Sequence, residues 1–295
     1  MSDASTTKLG FVEQLWRYPA KSMQGERIDA VDVTGIGVVG DRGWAARDEV
    51  RGGIRGAKKI GALMGLAARY ERPPTADEPV PPLVVTLPDG HEVRSTEPDF
   101  DAAISEALDH QITMWPLQPS DDTGHYTRGA PDSDDLLTEL RGIFGRAEDE
   151  PLPDLSTLPP ELVFYESLPG TYYDAYPIHL LTTSSLETLQ ARLPDSVIDA
   201  RRFRPSIVVA VDEPSGDPFP EQSWVGQRVR LGSVELEVVS ACPRCVMPTR
   251  GFADLPEDRS ILRTIVRDAE QNLGVYATVV QPGSVRVGDD LTRIG

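Results

Sequence analysis

The chain has 295 residues, and 29 Lys and Arg against 47 Asp and Glu give it a net charge of −18. A charge of this sign excludes a protein that binds nucleic acid duplexes, because phosphate contacts need a basic surface. Its two cysteines, Cys242 and Cys245, exclude a disulfide framework of the secreted kind. No stretch approaches the roughly 18 uninterrupted apolar residues of a membrane helix, and the N-terminus does not resemble a signal peptide. We therefore expect a cytoplasmic protein with no membrane and no nucleic acid partner.

Positive charge is concentrated in the first quarter of the chain. Residues 1–72 hold 12 Lys and Arg against 9 Asp and Glu, a net of +3; because the whole chain carries −18, residues 73–295 carry −21. Solvated surface charges account for such a pattern in most proteins. The alternative is a small anionic ligand, held by local cations that overcome the field of an acidic protein.

The first third of the sequence predicts short strands interrupted by glycine. A first strand over residues 8–17 is followed by alternating apolar and polar side chains over residues 28–33. Residues 83–87 and 91–94 flank an Asp-Gly turn, which is typical of a hairpin. Apolar side chains at helical spacing predict a short helix over residues 100–110.

Between residues 116 and 160 the sequence becomes acidic and rich in proline, which is typical of loops. A regular pattern resumes near residue 178, and residues 184–187 fit the capping box of a helix. Alternating Val and Leu predict a hairpin over residues 228–239, and residues 276–287 repeat that pattern. An apolar stripe predicts a helix over residues 259–272, ended by Gly274.

Together these elements predict a mainly β (α+β) chain with two β-barrel-like domains and a few peripheral helices. The predicted division is an N-terminal β-barrel domain over residues 8–118, an acidic, proline-rich linker of loops over residues 119–160, and a C-terminal domain over residues 161–295.

The sharpest local motif is Cys242-Pro243-Arg244-Cys245, which directly follows a predicted strand. A zinc knuckle would need four ligands, and the four histidines of the chain are scattered without paired spacing. A thioredoxin-like redox pair opens a helix in a parallel βαβ unit, whereas antiparallel strands flank this motif. A single thiolate supported by Arg244, used as a metal ligand or a nucleophile, is the third interpretation. Two small side chains in an apolar turn are the purely structural one.

No phosphate-binding loop of a known type is present in the sequence. There is no Walker A motif, and although residues 35–40 spell G-x-G-x-x-G, no helix is predicted after them. The sequence therefore does not support a nucleotide-binding domain.

Several motifs, taken in chain order, are similar to those of a known family. They are Tyr18-Pro19-x-Lys21-Ser22, Gly40-Asp41-Arg42-x-Trp44, Arg202-Phe203-Arg204-Pro205, Ser223-Trp224-x-Gly226, Cys242-x-Arg244-Cys245 and Val285-x-Val287-Gly288-Asp289. In this order and spacing the chain resembles the MOSC proteins with an N-terminal β-barrel domain. That family includes the mitochondrial amidoxime reducing component and its bacterial relatives. The resemblance covers nearly the whole chain and is weakest over residues 71–168.

The resemblance implies a site for the molybdenum cofactor (Mo-molybdopterin). By similarity Cys245 is the thiolate ligand of the metal and the catalytic residue, and thiolates suit a redox-active metal because they are soft donors. The pterin phosphate would be neutralised by Lys21, Ser22, Arg42 and Arg204. Other positions that line the cofactor in relatives are Asp174, Ala175, Tyr176, Ser206, Pro243 and Arg244. Pyridoxal phosphate binding is a further property associated with the family.

On this resemblance we expect an oxidoreductase that reduces small N-hydroxylated or N-oxide compounds by two-electron oxygen-atom chemistry. The chain has no further cysteines for an iron–sulfur centre, so the electrons would come from a separate donor protein of the ferredoxin, flavoprotein or cytochrome type. Two alternatives stay open. One is a non-catalytic carrier of the cofactor or of sulfur that uses Cys245, and the other is an interaction module with a vestigial site.

One residue and two short segments depart from the family pattern. Ser206 stands where an Asn usually follows Arg-Pro, which reduces the hydrogen-bonding capacity at that point. Residues 246–251 replace the usual Thr-Thr-Val-Asp-Pro run, and residues 58–63 replace an Arg-x-x-Pro-x-Leu segment. We expect these changes to affect the substrate side of the pocket more than the cofactor side.

Overall fold

The structure is a computed structural model that describes residues 7–212 and 216–294. Sixteen strands, numbered β1 to β16 in chain order, lie in these ranges at Thr7–Arg17, Glu26–Ile28, Ala30–Thr34, Gly37–Val38, Trp44–Asp48, Ala67–Tyr70, Leu83–Thr86, Glu92–Arg94, Ile112–Pro116, Ile178–Thr182, Ile207–Val211, Arg228–Leu231, Val234–Pro243, Asn272–Gln281, Gly283–Arg286 and Asp290–Ile294. The α-helices of the same ranges, α1 to α6, are Phe100–Leu108, Thr123–Tyr126, Leu136–Phe144, Thr183–Arg192, Ala200–Phe203 and Arg259–Asp268. Short 3₁₀ helices lie at Gly61–Gly65, Pro160–Val163, Pro220–Trp224 and Met247–Thr249. Among these described residues no helix is long and apolar enough to cross a membrane.

Seven strands close into a barrel. Their order is β11-β10-β14-β13-β12-β16-β1, and the pairing of β1 with β11 closes the sheet. Side chains of these strands form one core, in which Val12, Val209, Leu236 and Val275 are fully buried. A closed sheet leaves no unpaired edge, so it is a rigid frame for the loops at its ends.

The N-terminal strand β1 belongs to this barrel, although its partner β11 lies far away in the sequence. The antiparallel pairing runs from Gly10 with Val211 to Leu15 with Ile207. A Cβ atom on Gly10 would lie 2.1 Å from the carbonyl oxygen of Ala210, so only glycine allows the two strands to approach this closely. β1 ends at Arg17, so the predicted site residues Lys21 and Ser22 follow a strand of the barrel directly.

β3 lies between β4 and β15 in a small sheet whose Val33, Val38 and Val285 pack into the barrel core. The rest of the first third forms two further small sheets around a second core: β5 pairs with β9, and β6 to β8 form an antiparallel meander. Buried side chains of this region form a cluster that includes Leu63, Leu83 and Ile104. Met247 and Phe252 from the C-terminal part pack into the same cluster, so the two parts of the chain share a hydrophobic core.

The predicted mainly β fold class is confirmed by the closed barrel and the small sheets. The hairpins predicted over residues 83–94 and 228–239 are present as β7–β8 and β12–β13. Helix α1 matches the short helix predicted over residues 100–110. Each of these elements is set by neighbouring residues, which explains why local patterns identify it.

Three local predictions are wrong. The second C-terminal hairpin does not form between the described strands β14 and β15, because β15 pairs with β3 of the first third instead. Helix α4 begins before the predicted capping box, since the Thr182 side chain accepts a hydrogen bond from the Ser185 amide. Helix α6 ends at Asp268, because Glu270 and Gln271 adopt left-handed conformations that lead the chain into β14.

The segment predicted as a linker of loops contains two helices, α2 and α3. Asp135 accepts a hydrogen bond from the Thr138 amide at the start of α3, and Gly145 in the left-handed conformation ends it. Both are ordinary helix signals, which the acidic composition obscured. The division of the chain into domains at residues 118 and 160 stays a prediction.

Candidate functional site

One cleft gathers every residue that the sequence analysis placed in a site. The cleft encloses about 870 Å³, part of it open to solvent. Its lining includes Lys21, Ser22, Arg42, Asp174, Ala175, Tyr176, Arg204, Ser206, Pro243, Arg244 and Cys245. These residues come from five separate stretches of the chain, and their functional roles stay predictions.

The site segments lie next to strands. Residues 21–22 follow β1, residue 42 precedes β5, residues 174–176 precede β10, residues 204–206 connect α5 to β11, and residues 243–245 lie at the end of β13. Loops anchored by a rigid scaffold commonly carry binding residues, because the scaffold fixes where each loop begins and ends. The barrel therefore explains how residues so distant in sequence meet in one cleft.

Lys21 is a buried ammonium with a complete set of partners. Its Nζ atom donates to Asp174 Oδ1 at 2.7 Å, to the Tyr172 carbonyl at 2.9 Å and to Ser167 Oγ at 3.2 Å. Three acceptors satisfy all three donors of an ammonium group. Burial opposes ionisation of Asp174, but the charges of Lys21 and Lys58 outweigh it and hold the pKa of this carboxyl below its usual range. Lys21 and Asp174 therefore form a fixed ion pair in the wall of the cleft.

Three of the four predicted phosphate ligands share an unusual backbone conformation. The φ angles of Ser22, Arg42 and Arg204 are 68°, 52° and 56°, in the left-handed region that non-glycine residues rarely occupy. Such a conformation costs on the order of 1 kcal/mol per residue, and these costs cluster at functional sites. The surrounding fold therefore imposes these three positions on the chain.

The guanidinium groups of Arg42 and Arg204 both lie over the ring of Tyr18. Their Cζ atoms are 5.2 Å and 4.1 Å from the ring centroid. Arg42 forms an ion pair with the buried Asp41, whereas Arg204 donates to the Met23 carbonyl. The Nη2 atom of Arg204 is buried and has no hydrogen-bond partner among the residues that the structure describes. Burial and the neighbouring charge of Arg42 lower the pKa of Arg204 to about 10.

A buried donor without a partner costs free energy, and the cost is larger when the donor is charged. An anionic oxygen at Arg204 Nη2 would remove this cost by accepting a charge-assisted hydrogen bond. The residues around Arg204 therefore fit a phosphate group better than a neutral ligand.

The two cysteines of the motif have different surroundings. Cys245 is half-buried and lines the cleft, whereas Cys242 is buried within β13. Arg244 Nη1 donates to Cys242 Sγ at 3.0 Å, and Arg244 Nη2 donates to the Phe203 carbonyl at 3.0 Å. The hydrogen bond of Arg244 thus goes to the buried sulfur, and its support of Cys245 through charge stays a prediction. Cys245 is therefore the cysteine of the motif that is accessible from the cleft.

The surroundings of the motif bear on its other interpretations. The strands β13 and β14 beside it are antiparallel, as the sequence predicts, and they do not form a βαβ unit. Within residues 7–212 and 216–294, no three His, Cys, Asp or Glu side chains are grouped closely enough to share a metal ion. The geometry therefore favours the single thiolate.

The last turn of α3 and the residues that follow it hold the Cys245 loop in place. The Val246 amide donates to the Ile143 carbonyl at 3.1 Å, and Arg146 Nη2 donates to the Arg244 carbonyl at 3.1 Å. Both peptide neighbours of Cys245 are therefore fixed by a segment that the sequence analysis assigned to a linker.

We expect Arg146→Met to loosen the Cys245 loop, because it leaves the Arg244 carbonyl without this donor. Alkylation of Cys245 by iodoacetamide, followed by peptide mass spectrometry, should become about fivefold faster, which corresponds to the one of the three Arg146 hydrogen bonds that goes to this loop. Arg141→Met is the control, since Arg141 bonds only to carbonyls of its own segment among the described residues. Equal alkylation rates in Arg146→Met and the wild-type protein would show that the loop is held without Arg146.

The cleft contains five polar side chains that the sequence analysis did not place in the site, namely Lys58, Tyr173, His179, Arg202 and Tyr276. Lys58 Nζ lies 3.4 Å from Asp174 Oδ1, and the rings of His179 and Tyr276 lie side by side. The position of Lys58 in the cationic first quarter is a usable signal. His179 and Tyr276 lie within apolar strands, where nothing in the local sequence distinguishes them from core residues.

His179 makes the stability of the protein depend on pH. Burial and the charge of Arg244 lower the pKa of His179 to about 3, so the folded protein holds a neutral imidazole at physiological pH. The unfolded chain, with a His pKa of about 6.5, binds the proton more readily, so stability falls as the pH drops from about 6.5 toward 3. When the pH is lowered from about 7.5 to 5, the free energy of unfolding of the wild-type protein should therefore fall by about 2 kcal/mol more than that of His179→Leu. Urea denaturation at both pH values measures this difference, and equal losses in the two proteins would contradict a buried neutral imidazole.

The fold and the site together define a class of protein. A closed barrel presents a cleft that is lined by cations and contains one accessible thiol, which is suited to an anionic ligand bound beside a cysteine. The model of the MOSC domain matches residues 168–292, and the model of the MOSC N-terminal beta barrel domain matches residues 9–123. The chain belongs to the MOSC family, and the resemblance found in its motifs is confirmed.

Relatives of known name cover nearly the whole chain. "Mitochondrial amidoxime reducing component 2" of Bos taurus is 25% identical over 312 residues, which cover 97% of this chain and 84% of that protein. "Mitochondrial amidoxime-reducing component 1" of Mus musculus is 27% identical over 321 residues, which cover 98% of this chain and 83% of that protein. Among solved structures, the YuaD protein of Bacillus subtilis is similar over 99% of both chains, with 12% sequence identity and a TM-score of 0.44.

Proposed function

We propose that this protein is a molybdenum-cofactor-dependent oxidoreductase that reduces N-hydroxylated or N-oxide compounds. The observation that carries the proposal is the presence in one cleft of an accessible thiol, Cys245, and a buried guanidinium, Arg204, with an unpaired donor. A soft sulfur donor and unused cationic donors match a cofactor that contains both a metal and a phosphate. The names of the relatives support the same class of reaction.

The residues present fit the parts of this cofactor. Cys245 would bind the metal, and Arg42 and Arg204 would bind the phosphate. Ser22 Oγ accepts a hydrogen bond from the Ala57 amide at 2.9 Å, which leaves its hydroxyl proton free to donate to the phosphate. When bound, the cofactor supplies two-electron oxygen-atom transfer.

The chain itself contributes binding and orientation. Arg146 donates to the carbonyl of the peptide before Cys245, and the fold holds the backbone of Ser22, Arg42 and Arg204 in left-handed conformations without a ligand. Such preorganisation avoids the cost of ordering the site at the moment of binding. The substrate would be a small N-oxygenated molecule, and a separate donor protein of the ferredoxin, flavoprotein or cytochrome type would supply the electrons.

The test of the proposal is the reduction of an aromatic amidoxime by protein isolated from a host that makes the cofactor. A reduced viologen dye replaces the unknown donor protein, and formation of the amidine is followed by chromatography. We expect turnover by the wild-type protein. Protein that contains the cofactor but reduces no amidoxime, hydroxylamine or N-oxide would favour the alternative of a carrier of cofactor or sulfur, and protein that takes up no cofactor would overturn the proposal.

Two further expectations stay predictions. The relatives are named as mitochondrial proteins, so they do not support a cytoplasmic location for this chain. Pyridoxal phosphate binding, expected only as a property of the family, has no residue of this chain assigned to it.

A further inference from the structure

Lys58 is a cleft cation with unused hydrogen-bonding capacity. Its ammonium group has three donors, and within the described part of the chain its polar contact is Asp174 Oδ1 at 3.4 Å. The same oxygen lies 2.7 Å from Lys21 Nζ and is therefore already bonded to a closer donor. The side chain of Lys58 is 21% exposed, against 3% for Lys21. Lys58 is thus both accessible from the cleft and short of acceptors.

The other cations of the cleft are engaged by the protein or by the proposed cofactor. Lys21 has three protein acceptors, and Arg202 donates to four main-chain carbonyls. Arg42 forms an ion pair with Asp41. Arg244 donates to a sulfur and a carbonyl, and its remaining Nε atom, which has no partner among the described residues, is buried and inaccessible to a substrate. Arg204 keeps an unpaired donor, which the proposed function assigns to the phosphate. Lys58 is therefore the cation that stays available to a substrate.

The chain holds Lys58 in a fixed position. The amide of the preceding residue, Ala57, donates to Ser22 Oγ at 2.9 Å and ties this turn to the cleft. The following residue, Lys59, is absent from the lining of the cleft and forms an ion pair with Asp132 at 3.0 Å. Of the two adjacent lysines, one therefore has a structural partner and the other faces the cleft.

Lys58 also shares the cleft with the predicted metal ligand, because the side chains of Lys58 and Cys245 both line it. The Asp174 carboxylate, 3.4 Å from Lys58 Nζ, favours the charged form of the ammonium. Lys58 therefore presents a positive charge to the cleft that contains Cys245.

We propose that Lys58 binds an anionic group of the substrate, so that the cleft selects N-oxygenated compounds that also carry a carboxylate. This inference rests on the proposed function and assigns a substrate class to the same site. A fixed ammonium with free donors gains more from a carboxylate than from a neutral group, because the charge-assisted hydrogen bond is stronger in a partly desolvated cleft. The net charge of −18 repels anions from the protein as a whole, so a local cation is needed to select them.

The experiment compares two aromatic amidoximes of the same shape, one with a para-carboxylate and one with a para-carboxamide. For the wild-type holoenzyme we expect a KM about tenfold lower for the carboxylate, at similar kcat, because one charge-assisted hydrogen bond is gained. Lys58→Met keeps the length of the side chain and removes its charge, so it should raise KM for the carboxylate alone. Lys8→Met removes an exposed ammonium that pairs with Asp212 and Asp290, and as the control for net charge it should keep the preference.

A second measurement on the same holoenzyme does not depend on turnover. Isothermal titration calorimetry with 4-carboxybenzamide and terephthalamide, which have no N-oxygen to reduce, should give about tenfold tighter binding of the anion. This difference should disappear in Lys58→Met. Equal binding of the two probes by the wild-type protein, or a preference that survives in Lys58→Met, would overturn the inference. Loss of molybdenum and pterin from Lys58→Met would also overturn it, because Lys58 would then serve the cofactor.

The inference and the proposed function fail in different ways. Reduction of both amidoximes without a preference would overturn the role of Lys58 and leave the proposed function standing. Binding of the anionic probe through Lys58 without reduction of any amidoxime, hydroxylamine or N-oxide would count against the proposed function and leave the anion site standing.

Discussion

Cys245→Ser should reduce the reductase activity more than about a hundredfold. Removal of a residue that only hydrogen-bonds to a metal ligand costs up to about a hundredfold, and loss of the ligand itself should cost more. The hydroxyl oxygen is a hard donor and a poor substitute for a soft thiolate on a redox-active metal. The fold should persist, because Cys245 is half-buried and the substitution is nearly isosteric. Amidoxime reduction and thermal unfolding, measured on the same preparation, check both halves of this prediction.

Cys242→Ser is the matched control, because it makes the same chemical change at the buried cysteine of the motif. The serine oxygen would still accept a hydrogen bond from Arg244, so we expect most of the activity to persist. A loss of about 1 kcal/mol of stability should follow from placing a hydroxyl group in an apolar strand. Activity that survives in Cys245→Ser, or that disappears only in Cys242→Ser, would contradict the assignment of the metal ligand.

Arg204→Met should lower retention of the cofactor at least about tenfold, because the phosphate loses charge-assisted hydrogen bonds. The cofactor-free protein should be as stable as the wild-type protein or more stable. Its Arg204 is a buried charge next to Arg42 with an unpaired donor, and replacing such a group by an apolar side chain of similar length is often neutral or stabilising. Pterin content after prolonged dialysis and urea denaturation of protein from a host without the cofactor measure the two effects.

Arg202→Met is the matched control for this prediction. Arg202 is fully buried, and its guanidinium donates to the carbonyls of Val197, Pro248, Arg250 and Pro256. Its loss should destabilise the protein by about 3 kcal/mol or more, because buried acceptors lose their donor. If Arg204→Met instead unfolded as easily as Arg202→Met and retained its cofactor, Arg204 would be a structural residue and the phosphate assignment would be wrong.

Local sequence patterns identified most of the strands but not all of their partners. The β7–β8 hairpin is determined by its own Asp-Gly turn, so the sequence predicts both the strands and their pairing. The pairing of β1 with β11 and of β3 with β15 joins distant parts of the chain. No short-range pattern encodes such contacts, and even the requirement for Gly10 exists only because Ala210 approaches it. The predicted second C-terminal hairpin is wrong for the same reason.

The candidate site was predictable from ordered motifs and not from the character of single residues. In the sequence Lys21 and Arg204 resemble any solvated cations. In the fold they differ from such cations because they are buried, with exposed fractions of 3% for Lys21 and 8% for Arg204. Lys59 forms ion pairs with Asp132, in the loop before α3, and with Glu139 in α3, whereas Lys58 faces the cleft. The sequence did not predict this difference, because the segment that contains α3 was predicted to be irregular. The acidic, proline-rich sequence on both sides of α3 therefore concealed a helix that, with the Arg146 that follows it, holds part of the site.

The most direct test of the central claim is metal and pterin analysis of the wild-type protein from a host that makes the molybdenum cofactor. Inductively coupled plasma mass spectrometry and pterin fluorescence should give near-stoichiometric molybdenum and pterin, and Cys245→Ser should lose the metal. Absence of both molybdenum and pterin from correctly folded wild-type protein would contradict the account. Zinc in their place would instead support the zinc interpretation of Cys242 and Cys245.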